Sequence, residues 1–157
     1  NTQNFVQFLL NNTWYKPRDI VRFLKVYSKI NPDDESITEE GVKKSLNEYA
    51  RISAVEIFEQ ISVRHSQSVI EGIRRGIKQR NYKDGEELLK ALQLHIPDTV
   101  GRQFLDELFE VGVIGNTDKV GPSTRYFWGH RQEEHFDFDM GVTIHPGLLN
   151  YFNVRHR

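Results

Sequence analysis

The feature that most constrains this chain is a change of hydrophobic period near Gly112. Upstream, apolar side chains recur at helical spacing; downstream they fall into short strand-like runs bounded by Gly, Pro and Asn. Such a chain must pack several helices against a small sheet. The expected class is mainly α: a helical bundle over residues 1–63, then a second unit over 64–157 with short helices and a small β-hairpin or sheet.

Within 1–63 the pattern predicts three helices. Phe5, Phe8 and Leu9 share one face, and Asn11-Asn12 stop the first helix before Thr13–Lys16. Pro17 suits the first turn of the second, where its missing N–H costs nothing. Ile20, Val21, Phe23, Leu24 and Tyr27 form that helix's apolar stripe. The turn residues of Asn31–Ser36 mark a loop. Thr38 then offers a hydroxyl cap, with Glu39 and Glu40 complementing the positive end of a long third helix. That helix is expected to reach Val63 and bridge the two parts.

In 64–157, Ser68, Asp84 and Asp98 are the expected caps of three short helices, and Gly112 is placed to end the last. VGVIGN and TRYFWGHR are β candidates around a loop at 118–123, and MGVTIHPGLLNYF supplies a third strand and a terminal turn. Phe136 and Phe138 alternate with Asp137 and Asp139, which reads as a strand with its carboxylates in solvent. Three short helices before a hairpin is the order of a winged helix.

Composition narrows the function classes. Lys+Arg 21 against Asp+Glu 22 leaves a net charge of -1, so nucleic-acid binding would need a local patch. With Cys 0 there is no disulfide, thiolate metal site or cysteine nucleophile, which fits a reducing, cytoplasmic interior. No apolar run approaches the roughly 20 residues that cross a bilayer, so no membrane contact is expected. The sequence opens at Asn1 within an amphipathic pattern, and we read it as an excerpt of a longer protein.

The chemistry-bearing residues cluster without forming a known catalytic pattern. His130, Glu133, Glu134, His135, Asp137, Asp139 and His145 are of metal-ligating type, but no HExxH spacing places two of them on one helical turn. We therefore expect no metal and no catalytic residue. Tyr126, Phe127, Trp128, Phe136, Phe138, Tyr151 and Phe152 can stack single-stranded bases, or close a small core under the wing, the commoner use of such rings. Arg64, Arg74, Arg75, Lys78, Arg80 and Lys83 make the best basic patch, with Arg74, Lys78 and Arg75 at helical spacing. The third short helix has the wrong sign for a DNA groove, since its outward candidates are Arg102, Gln103, Asp106, Glu107 and Glu110.

Tyr15-Lys16-Pro17-Arg18-Asp19-Ile20, followed by the apolar run through Leu24, resembles the lid region of bacterial P-loop ATPases of the AAA+/STAND kind. Ile37-Thr38-Glu39-Glu40 with Tyr49 is similar to the opening of their next lid helix. LFEVGVIGN, RYFWGHR and FDFDMGVTIHPGL are similar to the winged-helix tail that follows the lid in some of them. The resemblance covers most of the chain and lies chiefly in the order of these blocks. It implies that Arg18 is a nucleotide-sensing arginine at a helix start. A guanidinium is always charged and can bridge two phosphate oxygens, although pairing with Asp19, Asp33 or Asp34 is the plainer use of the residue. The chain has no GxxxxGK[ST] loop, so ATP would belong to the full-length protein and no cofactor to this segment. The expected function is non-catalytic: coupling nucleotide state in an upstream ATPase module to a protein partner or to self-association. The alternative is a winged-helix DNA-binding regulator using Arg74, Arg75, Lys78, Lys119 and Arg125.

Overall fold

A computed structural model describes residues 2–96, 101–133 and 135–154. Its helices are α1 (Thr2–Asn12), α2 (Pro17–Ile30), α3 (Glu39–Ser62), α4 (Gln67–Gly76), α5 (Gly85–Gln93) and α6 (Arg102–Glu110). The strands are β1 (Asn81–Tyr82), β2 (Ile114–Val120), β3 (Ser123–Phe127) and β4 (Gly141–Ile144). They form one antiparallel sheet in the order β1-β4-β2-β3. No described helix is long and apolar enough to cross a membrane.

The α2–α3 pair is fixed at both ends by side chains. Arg22 donates to Glu56 at 2.7 Å near the start of α2. At the other end the Tyr27 hydroxyl donates to Asp34 at 2.5 Å and accepts from the Thr38 backbone N–H at 2.8 Å. Thr38 caps α3 as expected, its Oγ1 accepting from Gly41 N at 3.1 Å. Asp84 likewise caps α5, accepting from Glu87 N at 2.9 Å. Gly112 ends α6 with φ 79, a left-handed geometry that glycine adopts without strain.

Several expectations need correction. Ser66, not Ser68, precedes α4, and that helix stops at Gly76, so Lys78 lies beyond it. Ile77 turns extended there to feed β1, a two-residue strand paired with β4 that the periodicity did not reveal. The loop expected at 118–123 shrinks to Gly121-Pro122, because β2 and β3 stay paired from Asn116↔Phe127 to Val120↔Ser123. Gly121, at φ 58, supplies the positive φ of a two-residue hairpin turn. The segment around Asp137 is not a strand. Its backbone is taken by the Asn116 side chain, which donates to Asp137 O at 2.7 Å and accepts from Asp137 N at 2.8 Å. The expected Asp98 cap lies outside the described residues, and α6 is preceded by Gly101.

One buried cluster runs through both parts of the chain, from Leu9, Phe23 and Tyr49 to Leu105, Ile144 and Leu148. Phe58 of α3 packs on Tyr151 and Phe152 with ring centroids 5.5 and 6.2 Å away. Trp14, in the turn between α1 and α2, is the principal anchor. Its indole N–H donates to Gly112 O at 3.0 Å, and its ring stacks on His145 at 4.2 Å between centroids. Trp14→Phe keeps an aromatic ring but removes the donor to a buried carbonyl. We expect it to lower stability by about 1–3 kcal/mol, read from the urea midpoint at unchanged slope. A midpoint indistinguishable from that of the parent chain would show that the bond contributes nothing.

Candidate functional site

The chemistry of the molecule concentrates at this seam. Tyr15, at φ 53, bends the chain sharply after Trp14 and turns its own ring outward. Behind it Trp14, Trp128, His130 and His145 form an aromatic box. Trp128 meets His145 edge-on at 4.9 Å, and His130 meets His145 at 5.2 Å. His145 Nδ1 accepts from Gly147 N at 3.1 Å, so the residue forms the turn read from His145-Pro146-Gly147. Both ring nitrogens of His130 are buried with no hydrogen-bond partner among the described residues.

Beside the box lies an open groove of about 490 Å³ between the end of α1 and the sheet. Phe8, Asn11 and Tyr15 line one wall, and Thr143, Tyr126 and Trp128 the other. Two arginines enter it. Arg131 lies over the Tyr15 ring, 4.0 Å from the centroid. Arg80, whose carbonyl accepts from Ile144 N at 2.8 Å, is held at the start of β1, and its Nε is buried without a partner among the described residues. Among the described residues, no carboxylate lines this groove.

The residues singled out in the sequence are dispersed. Arg18 stands at the start of α2 with 69% of its side chain exposed, its Nε 3.6 Å from Asp19. Arg74, Arg75 and Lys78 line a shallow depression with Tyr151 and Asn153. Within it Arg74 lies over the Tyr151 ring at 5.3 Å and Arg75 faces Glu71 at 3.8 Å. Lys119 and Arg125 sit on the β2–β3 hairpin, where Arg125 donates to Asp118 at 3.1 Å. Among the described residues no three His, Asp or Glu side chains gather as a metal site. Tyr15, Arg80 and the Tyr126–Arg131 block come from three segments far apart in the sequence, so the groove is not legible before folding. Arg80 belongs in sequence to the basic patch from Arg64 to Lys83 but in the fold faces this groove. No protein-family model matches the chain, and no curated protein or solved structure matches it.

Both histidines of the box are held neutral. Burial pushes His130 down to about 4, with the Arg131 and Lys16 charges adding to it. Burial also holds His145 well below the usual histidine range, with His130 and Arg131 contributing. In the unfolded chain each titrates near 6.5. Below that pH the unfolded chain binds protons that the folded chain refuses. Stability from these two groups is therefore complete above about pH 6.5 and falls as pH drops towards 4, by up to ~1.4 kcal/mol per pH unit for each. Urea unfolding at about pH 7.5 and about pH 5 should show this loss, and His130→Phe should reduce it. A parent chain and variant with the same pH dependence would exclude His130 as a source.

Proposed function

We propose that this chain is the non-catalytic, C-terminal regulatory region of a bacterial P-loop ATPase, a helical lid joined to a winged-helix unit. It couples nucleotide state upstream to a protein partner or to self-association, in the cytoplasm. The carrying observation is mechanical. Trp14 stands four positions before Arg18 and is bonded to Gly112, at the junction of α6 and the sheet. A phosphate drawing on Arg18 would pull a helix start whose neighbouring turn is clamped to the second unit. The exposure of the Arg18 guanidinium supports this reading, because it can leave Asp19 for a stronger anion.

The winged-helix part is supported by the order α4, β1, α5, α6, β2, β3, β4, with β4 returning between β1 and β2. In this reading α6 is the third helix, and the hairpin with the 128–140 segment is an enlarged wing. The outward face of α6 carries Asp106 and Glu110, which favours a protein partner over DNA. The DNA-binding alternative draws on the grouping of Arg74, Arg75 and Lys78 around one depression. It is weakened by the carboxylates already facing Arg75 and Arg125.

Two measurements test the proposal. In the full-length protein, Arg18→Ala should lower ATP turnover or abolish the nucleotide-dependent change in assembly, by roughly tenfold or more if the arginine contacts phosphate. Unaltered hydrolysis and assembly would reject the sensing role. Anisotropy titration of duplex DNA should show no tight binding that weakens steeply with salt. Such binding, lost on neutralising Arg74 and Lys78, would transfer support to the DNA-binding alternative.

A further inference from the structure

We infer that the groove between α1 and the sheet is a binding site for a nucleotide, with Arg80 and Arg131 taking the phosphates and Tyr126 the base. This inference does not depend on the ATPase reading, because every group it uses lies in this chain.

The groove's charge points first to an anion. Among the described residues, Arg80 and Arg131 are its charged lining side chains, and none of that lining is acidic. A guanidinium offers a planar fork of donors that matches phosphate oxygens two at a time. Arg131 is steadied by the Tyr15 ring beneath it, which leaves its N–H edge for a ligand. Arg80 lines the same groove, with its Nε buried and without an acceptor among the described residues. Asn11 and Thr143 add neutral polar groups to the lining.

The rings point to an aromatic ligand bearing that anion. Tyr126 stands on the edge strand β3 with 43% of its surface exposed, which leaves a ring available at the groove for stacking. Phe8, Tyr15 and Trp128 complete an aromatic rim around the same volume. At about 490 Å³ the groove falls within the roughly 300–1,000 Å³ range of small-ligand pockets. A nucleotide unites a stacking face with phosphate. Its source is better sought as a free nucleotide than as a single strand, because the net charge is -1 and Arg125 and Arg75 face carboxylates. A strand would need a longer basic track.

Calorimetric titration of the chain with ADP, adenosine, inorganic phosphate and an oligothymidylate tests this, with the combined fluorescence of Trp14 and Trp128 as a second readout. ADP should saturate, and adenosine and phosphate should each bind at least about tenfold more weakly. Arg131→Gln and Tyr126→Ala alter exposed side chains and should preserve the far-UV spectrum while each weakens ADP about tenfold or more. Arg80→Gln should do the same; if that variant fails to fold, the other two still decide the matter. Tighter, salt-sensitive binding of the oligothymidylate that is lost in the same variants would support the base-and-phosphate chemistry with a single strand as its source. Absence of saturation by both ADP and the oligothymidylate, equal binding of phosphate and ADP, or ADP binding unchanged in both variants would overturn the inference.

Discussion

The seating of Trp14 between α6 and β4 is the contact on which the remaining geometry depends. Its indole bonds to Gly112, stacks on His145 and lies 6.4 Å from Tyr49 of α3. Those contacts tie the turn after α1 to the helical hairpin on one side and to the sheet on the other. They also fix the direction in which Tyr15 leaves the seam and so one wall of the groove. The close fit depends on Gly112, where a Cβ would come within 2.7 Å of the indole nitrogen. Any side chain there would have to displace the ring that closes the core.

Charge is distributed in keeping with that seam. Carboxylates and cations pair along exposed helix faces, as in Lys43 with Glu39 and Lys44 with Glu40, where each pair contributes little. The seam instead holds neutral imidazoles and indoles, with the Arg80 and Arg131 side chains lining the adjoining groove. Holding His130 and His145 uncharged lets two potentially cationic groups lie near Arg131 without direct repulsion. Positive charge next to the box comes instead from Arg131 and Lys16. The groove keeps its sign while the histidines beside it serve packing.

Much of the helical half was legible because its signals are local. Thr38 and Asp84 were recognisable as caps, Pro17 as a helix start and Gly112 as a stop, since each acts within a few residues of itself. What stayed hidden depends on contacts distant in sequence. Strand β1 has two residues and exists because β4 pairs with it some sixty positions later. The Phe136–Asp139 alternation suggested a strand, but Asn116 captures that backbone instead. The groove was hidden for the same reason. Its arginines lie on opposite sides of the β2–β3 hairpin, and only folding brings them to one lining.

The Trp14 seam closes the two parts of the chain into one body around a shared buried cluster, which should unfold cooperatively. Both tryptophans, Trp14 and Trp128, lie at that seam, so their fluorescence reports its opening, whereas far-UV circular dichroism reports the helices throughout. Urea unfolding followed by both signals is the most direct test. Coincident transitions with a single midpoint are expected for one cooperative body. Fluorescence that changes at clearly lower urea, while most helical signal persists to a second transition, would contradict it.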